Sequence, residues 1–479
     1  MNWFSRMFGR RREELDADFD FTSSENVDAQ AADPAADASE EGGGVPASSF
    51  VRGASRRTRA DSLPRFSGGG SARGLPHGQV ERMRQLRAAF TPSHPISDAA
   101  LFAGRRDLLL RLIHLIEDQK LHVVLYGDRG IGKTSVLRIL SGLAREAHYN
   151  VTYASCGSDT DFDSLFRSLA REVPLLFHAD YEPTSPQVEA GGVFADLLPD
   201  RPVTVADLTA LFESVRGTQL LVIIDEFDRV ESNRMREQVA ELIKNLSDRG
   251  VPVQCLIAGV ASNLTTLVSH IPSIRRNLIG LPIGPLAEAE LREILENAAA
   301  RSGVPFSEGA EAMMIRFANG LPYIAQLLGL HASLVAVQGG EGAVSESDVL
   351  AAVGHAVDEI RLRISPRGLR SIDQVAQRIG WGRLGDLACH ALLQVGNLTE
   401  ADLAGLDQHS IEELLTAYTD EDGARWSFRE EAVVPYAWLQ AKLEEHTPAR
   451  DAASRTFQQL QDANLKLRTG VGTDWTDGD

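Results

Sequence analysis

The sequence predicts an α/β fold, a parallel sheet wrapped by helices, followed by an all-helical region. Three observations predict it. Short apolar runs at 121–126, 150–155, 219–225 and 251–259 alternate with stretches of helical periodicity. Such alternation marks βαβ units and therefore a parallel sheet. The run QLLVIID at 219–225 is almost unbroken in its apolar character, as a strand covered on both faces must be. From about 286 to about 360 the pattern is helical throughout.

At 479 residues the chain is too long for one ordinary core and divides into roughly two to four domains. Apolar residues at 43% and charged residues at 24% are those of a globular protein. A net charge of -19 argues against a protein that coats nucleic acid without specificity, and leaves room for a local basic patch. Cys156, Cys255 and Cys389 are odd in number and far apart, with no CxxC pair. A thiolate zinc site is therefore not expected, and free thiols fit a reducing, cytoplasmic location. The N-terminus shows no apolar run of signal-peptide length. The most membrane-like run, 320–340, is interrupted by Pro322, Gln326, His331 and Ser333 and reads as a buried helix.

Taken in order, residues 1–90 read as a disordered tail with segregated charge. Residues 1–12 mix Trp3, Phe4, Met7 and Phe8 with four arginines. As a helix this would be a short basic amphipathic patch able to touch an anionic membrane; the bland and favoured reading is a floppy terminus or a partner-binding peptide. Residues 13–45 hold eleven acids and no base, and residues 51–87 hold nine arginines against two acids. The acidic segment buries too little apolar surface to fold; a tail with opposite charge blocks can fold back on itself or recruit partners, and is more commonly just solvated.

The α/β core is expected over 91–285. Leu108, Leu109, Leu112, Ile113 and Ile116 share one face of a helix beginning at Arg106. Strands at 121–126, 150–155, 219–225 and 251–259 alternate with helices at 133–147, 161–172 and 232–249. Residues 174–204, with five prolines, read as an inserted loop. A helical region spans 286–361. Residues 362–446 contain short helices, two strand-like runs around Asp420-Glu421-Asp422-Gly423 and a last helix. Helices followed by a hairpin resemble a winged-helix module. Residues 447–479 form a polar tail, and no internal repeat is present.

The residues Gly127, Asp128, Arg129, Gly130, Ile131, Gly132, Lys133 and Thr134 match G-x-x-x-x-G-K-[ST] between an apolar strand and a helix. Glycines let successive N–H groups point inward as an anion nest. The following helix, which continues with Ser135, adds its partly positive N-terminus. Lys133 is one of five lysines in an arginine-rich chain, and a point charge on a flexible stem suits β and γ phosphates. The Thr134 hydroxyl is a Mg²⁺ ligand candidate. The plain alternative is a glycine-rich turn. Asp225 and Glu226 end the apolar run of 219–224. Asp225 is placed to hold Mg²⁺, and Glu226 to orient or deprotonate an attacking water.

From about 90 to 445 the chain resembles an AAA+ ATPase, nearest to the initiator and origin-recognition branch and the STAND switch ATPases. The P-loop and LLVIIDEFDRV carry the resemblance most specifically. It implies a P-loop core with a helical lid over 286–361, ATP and Mg²⁺ as cofactors, and a segment with Gly104 and Arg105 covering the adenine. It implies a sensor at the end of LIAGVASNL, where Gly259 and Val260 stand and Ser262 is the nearest polar residue. It also implies an arginine facing a neighbouring subunit's γ-phosphate, for which Arg275 and Arg276 are candidates, surface arginines being the bland alternative. Gly320-Leu321-Pro322 resembles the Gly-x-Pro element of STAND proteins near the base, with Tyr323 close to the position of a second sensor.

The expected function is an ATP-dependent switch with slow hydrolysis, controlling a protein partner or self-assembly. The alternative is a DNA-associated AAA+ loader, initiator or transposition regulator gripping duplex through 360–383, where six arginines meet one acid. DNA is less favoured, because residues 383–445 hold thirteen acids against four bases and would repel phosphate. That module is expected to bind protein or to dock on its own ATPase core.

Overall fold

The computed structural model describes residues 77–260, 278–394, 398–420 and 423–446. The tail before 77, the stretch containing Ser262, Arg275 and Arg276, and the residues after 446 lie outside the described residues. Five strands form one parallel sheet: β1 (His122–Tyr126), β2 (Asn150–Ser155), β3 (Leu220–Asp225), β4 (Val253–Gly259) and β5 (Leu278–Pro282). Their order is β2-β3-β4-β1-β5. Four were legible as apolar runs. β5 was not, because Leu278-Ile279-Gly280-Leu281-Pro282 contains glycine and proline, both depleted in strands. It survives at the sheet edge, where a missing N–H costs no ladder bond.

Helices cover both faces. Alternate side chains of each strand feed different cores, as the twofold period of a strand requires. Val123 and Leu125 pack with Leu137 and Leu140 of α3 (Lys133–Glu146), beside Leu109 and Leu112 of α2 (Arg106–Ile113). Val124, Val222 and Ile224 face Phe166 of α4 (Phe162–Ala170), Phe212 of α5 (Val205–Glu213) and Leu242 of α6 (Asn233–Asp248). The stretch 174–204 has only short helical turns, as expected of an inserted loop, but it seats Leu175, Phe194 and Val203 in this second core. Helix α5 follows it and was not anticipated; Thr204 caps it by accepting from Asp207 N at 3.3 Å.

The boundary of disorder expected near 90 falls inside ordered structure. Helix α1 (His77–Ala89) precedes it and ends in buried Leu86, Ala89 and Phe90. Few apolar residues sit in this arginine-rich stretch, so composition hid it; the burial comes from distant helices. Phe90 packs on Gly329 so closely that no β-carbon fits there. Thr91 N donates to Gln326 Oε1 at 2.7 Å.

The helical region consists of α7 (Glu288–Ser302), α8 (Glu308–Ala318), α9 (Pro322–Gly339) and α10 (Glu346–Arg361). Helix α9 is buried along most of its length, as read from its sequence, and no helix among the described residues is long and apolar enough to cross a membrane. Next come α11 (Pro366–Leu393), broken at Gly380 with φ 80, then α12 (Gln408–Leu414), the antiparallel pair β6 (Leu415–Asp420) and β7 (Gly423–Phe428), and α13 (Val433–Glu445). The hairpin stands where the sequence put it. The C-terminal helices share one apolar core with α7–α10. Trp438 Nε1 donates to Phe317 O at 2.7 Å, and Gly385 lets Ala441 approach closer than any side chain would permit.

Candidate functional site

The site lies at the C-terminal ends of β1 and β3, with β4 between them. Crevices at that edge of a parallel sheet are where such folds bind ligands. The chain leaves β1 at Gly127, whose backbone runs so close to Ile283 Cγ2 that an added β-carbon would stand 2.7 Å from it. It turns through Gly130 and enters α3 at Gly132, whose φ of 98 excludes a side chain without strain. The loop opens onto a helix N-terminus, a natural anion seat.

Lys133 is 9% exposed, and its ammonium donates to Gly127 O at 2.8 Å and Asp128 O at 2.7 Å. Burial pushes its pKa down, while Asp228, Asp128, Asp225 and Glu431 oppose that shift. Burial likewise pushes Asp128 up to about 7, with Lys133 pulling it down and Glu431 adding to the rise. Thr134 and Ser135 are half-buried. The Ser135 hydroxyl accepts from Ile96 N at 3.1 Å, so it holds the segment preceding α2.

The acidic strand end is built by two strands together. Asp225 is 2% exposed; Tyr153 OH donates to its Oδ2 at 2.6 Å and Glu226 N to its Oδ1 at 2.8 Å. Arg138 lies over the Tyr153 ring at 4.0 Å, and burial followed by the Asp225 bond drives the phenol's pKa up. Consecutive residues of a strand point to opposite faces. Glu226 escapes this rule with φ 55, a left-handed conformation that costs a non-glycine residue ~1–3 kcal/mol. Its carboxylate receives Ser155 Oγ at 3.0 Å and pairs with Arg229 at 3.3 Å.

Gly104 and Arg105 tie the helical region to the core. Gly104 N donates to Glu293 Oε2 at 3.0 Å and Arg105 N to Glu290 Oε1 at 2.7 Å. The Arg105 guanidinium donates to Gly284 O, and to Ile131 O at 3.4 Å. Pro322 and Tyr323 open α9 against the P-loop: β-carbons built on Gly132 and Gly130 would each stand 3.7 Å from them. Arg275 and Arg276 lie outside the described residues.

Sequence reasoning missed Tyr153, Ser155, Asp228 and Glu431. Asp228 alone left a signal, as a third acid in DEFDRV; its charge opposes the burial-driven fall at Lys133, and its Oδ1 accepts from Val260 N at 2.8 Å. Glu431 comes from the far end of the chain to pair with Arg129 at 3.0 Å. Among the six arginines of 360–383, Arg363 pairs with Glu359, Arg378 with Asp407 and Glu413, and Arg383 bonds the carbonyls of Asp402 and Ala404. Half of that patch is thus engaged within the protein.

A sequence model of the family described as Novel STAND NTPase 1 matches residues 88–333, more than half of the 479. The chain belongs to the novel STAND NTPase 1 family. The match spans the P-loop, the acidic end of β3 and Gly320-Leu321-Pro322, in keeping with the AAA+ initiator and STAND resemblance. No curated protein matches this STAND NTPase. Among solved structures it is similar to the Aeropyrum pernix ORC2 protein at 16% identity and a TM-score of 0.43, covering 76% of this chain and 98% of that one. It is similar to Cdc6p from Pyrobaculum aerophilum at 16% identity and 0.41, covering 75% and 98%. It is also similar to the RuvB Holliday junction branch migration motor of Thermotoga maritima at 18% identity and 0.38, covering 73% and 97%.

Proposed function

We propose that this NTPase binds ATP with Mg²⁺ at the P-loop and hydrolyses it slowly, using the bound state to control a protein partner or its own assembly. The observation that carries this reading is the convergence of the two motif halves: the buried Lys133 ammonium lies in the combined field of Asp128, Asp225 and Asp228. Donor chemistry supports the cofactors. Loop amides and Lys133 suit phosphate oxygens. Magnesium keeps most of its waters and takes one or two protein oxygens beside phosphates. Thr134 and Asp225 suffice for that, and among the described residues no larger group of His, Cys, Asp and Glu is gathered for a metal. When bound, the ion would neutralise charge on the terminal phosphates.

The chain's own residues then divide the work. Lys133 and the loop amides hold charge that grows on the transferring group. Glu226 orients and deprotonates the water after its carboxylate leaves Ser155 and Arg229. That parked carboxylate supports slow turnover. The engaged arginines of 360–383 and the acidic surface after them favour a protein partner over DNA. Calorimetry with Mg²⁺ and ATP tests the reading: heat of binding is expected from the native chain and none from Lys133→Ala. Equal binding by both proteins, or none by the native chain, overturns it.

A further inference from the structure

The pair between Arg129 and Glu431 joins the phosphate loop to a residue 302 positions away. Nothing in the P-loop motif calls for it. We infer that Glu431 is a specificity-determining residue of the nucleotide site, its carboxylate disfavouring a triphosphate relative to a diphosphate. This deepens the nucleotide-binding reading above and rests on it.

Glu431 is delivered by a pinned turn. Glu430 beside it accepts from Ser365 N at 2.8 Å and Ser365 Oγ at 2.5 Å. Arg429 N donates to Leu414 O at 2.9 Å, and Val433 N returns to Glu430 O at 3.0 Å. Val433 itself is 3% exposed. The backbone on both sides is therefore fixed, and the carboxylate is aimed at the loop.

The negative charge of Glu431 reaches two further groups of the loop. It raises the proton affinity of Asp128 and opposes the burial-driven fall at Lys133. Lys133 is the side chain built to meet β and γ phosphates. A charge that Lys133 feels is one that those phosphates also feel, with the opposite sign. A triphosphate carries one more negative charge than a diphosphate, at its far end, and competes with Glu431 for Arg129. Both partners of the pair are exposed, at 67% for Arg129 and 49% for Glu431, so water screens the contact and a phosphate can displace it. The effect is therefore a bias and not a block.

The test measures Kd for ATP and for ADP, each with Mg²⁺, on the full chain and on Glu431→Gln. The expected result is ATP binding tightened about three- to tenfold with ADP changed less, the range for removing one nearby screened charge. The shift should vanish in 1 M NaCl, where the Debye length is about 3 Å. Glu146→Gln is the control; Glu146 is exposed at the far end of α3, about 20 Å along the helix from the loop. Equal melting temperatures verify that the variants are folded. An unchanged ATP-to-ADP ratio in Glu431→Gln, or an equal shift in Glu146→Gln, overturns the inference while leaving nucleotide binding intact. Failure of the native chain to bind either nucleotide removes the underlying reading instead.

Discussion

The α/β half and the helical half meet the same loop by different means. In the α/β half, the groups proposed to carry the chemistry lie within a few residues of a strand end: Lys133 after β1, Asp225 closing β3 and Glu226 just beyond it. Local backbone geometry aims them. In the helical half, Glu290, the adjacent Pro322 and Tyr323, and Glu431 touch the core from three separate places in the chain, and no local pattern announces them. A motif thus places its own side chains through local backbone geometry, whereas the contacts made on it from elsewhere depend on surfaces that only packing brings near.

Four experiments test this contrast. The largest effect is expected in the α/β half, from Glu226→Gln. Loss of a general base costs about 10²–10⁴ in rate, so phosphate release should nearly stop while ATP binding persists. Normal release would deny Glu226 its role. Lys133→Ala comes next. Removing a buried cation from its charged partner typically costs ~2–5 kcal/mol, which calorimetry should read as lost binding with the fold retained.

The helical half should respond in stability first. Trp438→Phe removes the donor from Phe317 O, and a buried carbonyl left without its bond costs ~1–3 kcal/mol. Because α7–α13 share one apolar core, thermal unfolding should shift as a single transition, with ATP affinity unchanged. A separate early transition would show that the C-terminal helices melt on their own, apart from α7–α10.

A separate effect concerns pH. The Asp128 pKa is raised from 3.8 to about 7, chiefly by burial. Between pH 4 and 7 the folded chain holds a proton that the unfolded chain has released. The stability from this group is complete below about pH 4, falls as pH climbs toward 7, and is flat above. Urea unfolding across that range should show the slope, and Asp128→Asn should remove it. By linkage a rise of about three units is worth on the order of 4 kcal/mol across that range.

Much of the fold was legible. Four of the five parallel strands follow from apolar runs, the C-terminal hairpin from its turn residues, and the buried α9 from its composition. What escaped did so for identifiable reasons. β5 contains Gly280 and Pro282, which local propensity counts against a strand. Helix α1 is arginine-rich, and its burial rests on Phe90 meeting Gly329 far along the chain. Tyr153 and Ser155 look like ordinary strand residues until β2 is laid beside β3, in the register Ser155 to Asp225.

The phosphate loop, the acidic strand end and the order of strand and helix are all written in the linear chain, because each depends on residues a few positions apart. Tertiary structure alone decided that Tyr153 braces Asp225, that Glu226 turns left-handed to share its side, and that Glu431 meets Arg129. Those contacts join residues separated by tens to hundreds of positions, and a linear pattern carries no record of a distance closed only when the cores pack.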